Sequence, residues 1–285
     1  MATSANDLIA DVSGLVTLPD VYLRINSLIE NPNTTLDDIA EAISRDPSFT
    51  VRLLQVANSS LYGLSSTVST VAKAVSVIGT AQVRNLALSI SVANSFSNLL
   101  NPLVSMQDFW RHSLFCALAA RRLAKEARRC DPDTLFTAGM LHDIGELVIF
   151  NREPEESKQA LLLVLEEPGE LPVYMAERQV FGFDHSEVGG LLARQWKLPP
   201  VLVDCIAHHH DIENAQSHPR ETAIVHIANS VALMAELDTL NPDDVPPINP
   251  KAWEITGLGV DMIEPVMRAV QTEIAEVESL FLARH

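Results

Sequence analysis

The chain has 285 residues, 47% of them apolar and 5% aromatic, and a formal charge of −17 at pH 7 from 37 acidic and 20 basic residues. Length and apolar content exclude a disordered chain and allow a substantial core in one large domain or two smaller ones. The negative field repels phosphate backbones and anionic lipid surfaces, so neither a nucleic acid nor a membrane is an expected partner.

Helix signals recur from the start with almost no strand signal between them. Thr34-Thr35-Leu-Asp-Asp offers a hydroxyl cap followed by first-turn carboxylates, and Ile39, Ala42 and Ile43 continue at helical spacing. Asp46-Pro47 is expected to stop that helix and start another, with Asp46 as N-cap and Pro47 at the first helical position. Thr67–Ile78 reads as a helix closed by Gly79, and Thr80 caps the next, through Val83, Leu86, Leu88 and Ile90. Residues 35–58 superficially suggest a helix-turn-helix, but the second helix carries a single basic residue, Arg52, which makes a poor DNA reader on an acidic chain.

After Asn101-Pro102 helices are predicted over about 107–128, 133–150, 155–166, 185–197, 199–210 and 220–237. Arg121, Arg122, Lys125, Arg128 and Arg129 form the densest basic stretch and are expected on a solvated helix face. Asp184-His185-Ser186-Glu187 has the form of a capping box, which places His185 in the first turn of its helix. NPDDVPPINP at 241–250 reads as a long loop, and an amphipathic helix over about 261–283 closes the chain. The expected division is an N-terminal helical subdomain over 1–100, a second helical domain over 101–240, and a loop and helix over 241–285 packed on the same unit.

Cys116, Cys130 and Cys205 lack CxxC spacing and read as reduced structural residues of a cytosolic protein. No apolar run reaches the ~18 residues of a membrane span, and the opening MATSANDLIADVSG lacks the regions of a signal peptide. A soluble cytoplasmic location is therefore expected.

The histidines fall on one side: none lies in the first 111 residues and all nine come after, among them His112, His142, His185, His208, His209, His210 and His226. Histidine titrates near neutrality and is a common nitrogen ligand for transition metals, so such a set points to a buried metal or acid–base centre. His142-Asp143, inside the apolar stretch Met140–Gly145, is the most specific element, because two adjacent polar groups there need partners.

FWRHS at 109–113 and AGMLHDIGEL at 138–147 resemble the first signatures of the HD superfamily of metal-dependent phosphohydrolases. FDHSEVGGLLARQWKLP at 183–199 and IAHHH at 206–210 resemble its later histidine motifs. Together with LPDVYLRINSLIE, DIAEAISRDPSFTVRLLQVANSSLYG and TVSTVAKAVSVIGTAQVRNLALS, they resemble the HDOD domain, the HD-related output domain of bacterial signalling proteins. The resemblance covers about residues 15–235. It implies an all-α, HD-domain-like helical bundle with an N-terminal helical subdomain, and a regulatory role with no established catalytic activity.

Carried over by position, the metal-site candidates are His112, His142, Asp143, His185 and His209, with His208, His210, His226 and Asn229 weaker. The resemblance implies a divalent metal, Fe, Mn, Zn or Mg, if the centre is filled. Asn229 stands where active HD enzymes carry a ligand Asp, and a neutral amide lowers affinity for a hard cation. Glu146 stands where the HD-GYP group resembles HDIGK, and it opposes a phosphodiester where a Lys would attract one. The GYP signature is absent. The expected function is a non-catalytic signalling module acting through protein partners, with metal-dependent hydrolysis of a nucleotide or small phosphate ester as the alternative. The partner, the input and the oligomeric state are left open.

Overall fold

The computed structural model describes residues 4–12, 18–96, 104–166 and 171–281. These residues are all-helical, with no strand among them. In chain order the helices are α1 (Ala5–Val12), α2 (Asp20–Glu30), α3 (Leu36–Ser44), α4 (Pro47–Ala57), α5 (Val71–Ile78) and α6 (Thr80–Phe96). They continue with α7 (Met106–Ala127), α8 (Pro132–Leu141), α9 (Ile144–Arg152), α10 (Pro154–Glu166) and α11 (Val173–Phe181). Then come α12 (His185–Gln195), α13 (Pro200–His208), α14 (Pro219–Glu236), α15 (Pro250–Thr256) and α16 (Ile263–Phe281).

The chain forms two compact units: Met1–Thr17 with Leu99–Val270, and Leu18–Asn98 with Gln271–His285. This differs from the expected division at both ends. Helix α1 belongs to the first unit because its apolar residues Ala5, Leu8 and Ile9 are buried where it packs on α9 and α12. The end of α16 belongs to the second, with Ile274, Val277 and Phe281 buried there. The expected boundary at 100–101 and the last residues of the predicted 261–283 helix lie outside the described residues.

The second unit is built as its sequence directs. Thr35 and Asp38 form a reciprocal capping box on α3, and Asp46 accepts from Phe49 N–H at the start of α4, with Pro47 in its first turn. Thr70 caps α5 and Gly79 closes it at φ 98°, so the helix begins four residues later than expected. Arg52 is interior, 5% exposed, and donates to Asn94 Oδ1 at 2.6 Å and to the Phe281 carbonyl at 3.4 Å. It therefore ties α4 to α6 and to the end of α16, and it offers no cation to a DNA backbone. Ser60 fixes the same stretch of α16 through a 2.6 Å bond to Glu276.

In the first unit α7 lies against α8 and α14, and α12 lies against α9 and α13. Gly139 permits the first approach: a Cβ there would sit 2.7 Å from Ala117 Cα and 2.8 Å from its nitrogen. The basic stretch departs from expectation at both ends: Arg121 is buried and bonds Asp133 on the neighbouring α8 at 3.0 Å, and Arg128 and Arg129 lie past the end of α7 at φ 52° and 67°. No single described helix is long and apolar enough to cross a membrane.

Candidate metal centre

The predicted 133–150 helix is broken at the residues that matter. α8 ends at Leu141 with His142 as its C-cap, Asp143 takes a non-helical conformation at φ −96° and ψ 13°, and α9 starts at Ile144. The break turns both side chains inward, where a continuous helix would have spread them by ~100°. Gly145 makes room for it, since a Cβ there would fall 2.0 Å from the His185 carbonyl oxygen and 2.7 Å from Gly189 N. Helices α9 and α12 thus meet backbone to backbone, bringing Asp143 and His185 together. His185 opens α12, capped by Asp184, whose carboxylate accepts from Glu187 N–H.

The Asp143 carboxylate is the hub. Its Oδ2 lies 2.9 Å from His142 Nε2 and 3.4 Å from His112 Nε2, while Oδ1 lies 3.4 Å from His185 Nε2 and 3.3 Å from His209 Nε2. Two ligand groups result, His112–His142–Asp143 and Asp143–His185–His209–His210, each with donor atoms within 4.8 Å of one another.

The other ring nitrogens explain why Nε2 faces the hub. Nδ1 of His142 donates to the Gly139 carbonyl at 2.8 Å, and Nδ1 of His209 to the Ile206 carbonyl at 2.9 Å. A carbonyl only accepts, so both rings carry their proton on Nδ1 and aim the Nε2 lone pair inward. Nδ1 of His185 meets Glu177 Oε2 at 2.6 Å, and Nδ1 of His112 meets Glu236 Oε1 at 2.8 Å, the carboxylate–histidine pairing that orients metal ligands.

A nitrogen-preferring divalent cation fits this donor set. His142 Nε2 and Asp143 Oδ1 are buried without a hydrogen-bond partner: the 2.9 Å approach of His142 is to Oδ2 and is not aligned as a bond, and Oδ1 has only the longer approaches of His185 and His209. His185 Nε2 lies 3.3 Å from His209 Nε2 and 3.0 Å from His210 Nε2, so lone pairs face each other unless a proton or a metal lies among them.

Without a metal, protons take that role. Burial alone would lower His112 and His142, but the carboxylates outweigh it: Asp143 and Glu236 raise His112 to about 10, and Asp143 chiefly raises His142 to about 10. His185 rises well above its ordinary value because Glu177 and Asp143 overcome burial, and Asp143 falls well below its own beside these rings. Burial lowers His209 to about 4, and burial with neighbouring rings holds His210 well below the usual range. Glu146 is pushed up to about 8 by burial and by the charges of Asp143 and Glu177.

The remaining candidates divide. His210 joins the second group and stacks on Tyr174, ring centroids 4.2 Å apart. Asn229 turns its Oδ1 toward His112 Nε2 at 3.1 Å, so an amide oxygen occupies the edge of the centre. His226 spends both ring nitrogens on backbone, donating from Nδ1 to the His209 carbonyl and accepting Asn249 N–H on Nε2. It steadies the His209 segment from behind and has no nitrogen left for a ligand. His208 is half-buried and joins neither ligand group. Two residues absent from the sequence reading are Glu177 and Glu236. Glu177 lies on α11, a nine-residue helix that the reading passed over, and Glu236 ends α14 without any motif; no signal in one sequence marks either.

An all-helical chain with a histidine–aspartate centre of this kind has the architecture of the HD class. The chain matches the HDOD domain family over residues 15–212 and belongs to that family. It is similar to a solved HDOD domain protein of unknown function from Geobacter sulfurreducens, at 29% identity and TM-score 0.77, covering 98% of this chain and 97% of that one. An uncharacterized protein of Treponema pallidum is 26% identical over 216 residues, which are 75% of this chain and 40% of that protein. Ribonuclease Y of Thermus thermophilus is 33% identical over 111 residues, 39% of this chain and 14% of the enzyme. The chain thus spans well under two thirds of these two curated relatives.

Proposed function

We propose that the protein is a bacterial regulatory module that holds a divalent cation on His112, His142, Asp143, His185 and His209, assisted by His210, and acts through a protein partner in the cytoplasm. The observation that carries this reading is the charge around the hub. Among the described residues every ion pair at the centre joins a histidine to a carboxylate, and none uses a lysine or arginine. A bound cation would supply Lewis acidity there. The protein's own groups do the rest: Glu177, Glu236 and two backbone carbonyls fix the rings.

Burial points the same way, since His142 and His209 are 0% exposed and His185 is 2% exposed, a closed arrangement of the structural kind. Membership of the HDOD family supports the regulatory context, and the covered share of ribonuclease Y is too small to carry its activity over. The test is metal content of protein purified without chelator, followed by a phosphate-ester panel with Mn²⁺ or Fe²⁺. Bound metal with no turnover is expected. Turnover that disappears in Asp143→Asn would establish the phosphohydrolase alternative and overturn the regulatory reading.

A further inference from the structure

A second donor set lies on the far side of His185, where the nitrogen-rich centre makes no use of it. Glu177 accepts twice on Oε2, from His185 N–H at 2.9 Å and from His185 Nδ1 at 2.6 Å. Its other oxygen, Oε1, is buried without a hydrogen-bond partner on a residue only 1% exposed. An ionised carboxylate oxygen left so in the interior is strongly unfavourable unless a cation or a donor meets it. The neighbour is another carboxylate: donor atoms of Glu146, Glu177 and His185 lie within 4.8 Å of one another, and Glu146 Oε1 is 3.8 Å from His185 Nδ1.

The position beside Glu177 is held by a second carboxyl, Glu146, which burial and the charges of Asp143 and Glu177 push up to about 8, so that it keeps a proton until a cation takes the proton's place. His185 cannot balance both, because its Nδ1 is committed to Glu177 and its Nε2 to the hub. We propose that Glu146 and Glu177 form an oxygen-donor subsite for a hard divalent cation of the Mg²⁺ or Mn²⁺ class, separate from the nitrogen-rich centre. Mg²⁺ is commonly held by one or two carboxylates and keeps several waters, so two carboxylates with Glu146 partly open to solvent are a sufficient protein contribution. Nitrogen ligands select the softer ions, so the two sites differ in preference.

The experiment loads the protein with Zn²⁺, removes the excess, and titrates Mn²⁺ while following bound Mn²⁺ by electron paramagnetic resonance and Tm with added Mg²⁺. Wild type is expected to bind Mn²⁺ beyond its Zn²⁺ and to gain Tm with Mg²⁺. Glu146→Gln leaves the Glu177–His185 pair intact, so it keeps its Zn²⁺ and loses at least about tenfold in Mn²⁺ affinity, the lower end of what even an orienting partner of a ligand costs. Glu146→Lys places an ammonium in the subsite and abolishes Mn²⁺ binding while removing the Mg²⁺ dependence of Tm. No Mn²⁺ beyond the Zn²⁺ in wild type, or unchanged Mn²⁺ affinity in Glu146→Gln, would overturn the proposal, the second outcome with no folding ambiguity. An Asp143→Asn background, which disables the nitrogen-rich centre, separates the two readings: Mn²⁺ binding that still depends on Glu146 supports the subsite, and binding indifferent to Glu146 sinks it.

Discussion

Gly145→Ala tests the geometry on which the centre rests. The added Cβ would sit 2.0 Å from the His185 carbonyl oxygen, 2.7 Å from Gly189 N and 2.9 Å from the His185 carbonyl carbon, whereas ordinary contact begins at 3.4 Å. Every atom it meets is backbone, so no side chain can swing away, and α9 must part from α12 by about 1 Å or more. Overpacking of this kind costs about 1–3 kcal/mol or more. A metal site tolerates displacements of only about 0.5 Å, so separating Asp143 from His185 should cost more in affinity than in stability. The expected result is a folded protein of lowered Tm whose affinity for a divalent cation falls at least about 100-fold, beyond the range of a single orienting partner. Ile25→Ala, in the second unit, is the control: Ile25 is 0% exposed, and its truncation costs about 2–5 kcal/mol while leaving metal content unchanged. If folded Gly145→Ala binds metal as wild type does, the close approach of α9 and α12 does not assemble the site.

Three further outcomes follow from the same contacts. Glu236→Gln weakens the acceptor that orients His112, so metal affinity by calorimetry should fall about 10–100-fold with little change in Tm, Glu236 being half exposed. Arg52→Met breaks the bonds to Asn94 and to the Phe281 carbonyl; denaturant unfolding should register a loss of about 2–4 kcal/mol while metal content stays the same. For pH, the folded values of His112 and His142 are raised from 6.5 to about 10 without metal, so their stabilising contribution is complete below the ordinary value and is lost as pH climbs through about 10. Metal-free protein should therefore lose Tm between pH 7 and 10, while cation affinity rises over the same interval as those protons leave; a flat Tm in that window would contradict the assignment.

How much of this was legible in the sequence differs between fold and centre. Caps such as Thr35, Asp46 and Asp184 act through neighbours a few residues away, so local reading located the helices they start. The break at His142-Asp143 was not legible, because the apolar spacing of 133–150 is continuous and what opens it is the contact of Gly145 with His185, 40 positions away in the chain. Arg121 was assigned to solvent for the same reason: its partner Asp133 lies across a turn on another helix. The histidines of the centre stand out by residue type, whereas the carboxylates that orient them are indistinguishable from the other acidic residues of a −17 chain until the fold places them.

Those carboxylates also bear on what the centre can do. Asp143, Glu146, Glu177 and Glu236 all lie beside histidine rings of the centre, and Arg178 is held by Asp184 at 2.6 Å while its guanidinium lies over Tyr174. Cations bound here would meet several negative charges already in place, and less of their charge would remain to attract an incoming anion. A phosphate ester would have to displace part of that arrangement from a set of ligands that is almost wholly buried. A partner that binds elsewhere on the first unit needs no such access, since filling the centre would lock α7, α9, α12 and α13 together through residues each contributes or adjoins. Metal loading would then act on the rigidity of the helical framework, and a protein partner of the kind proposed would gain affinity with metal occupancy without touching the ions.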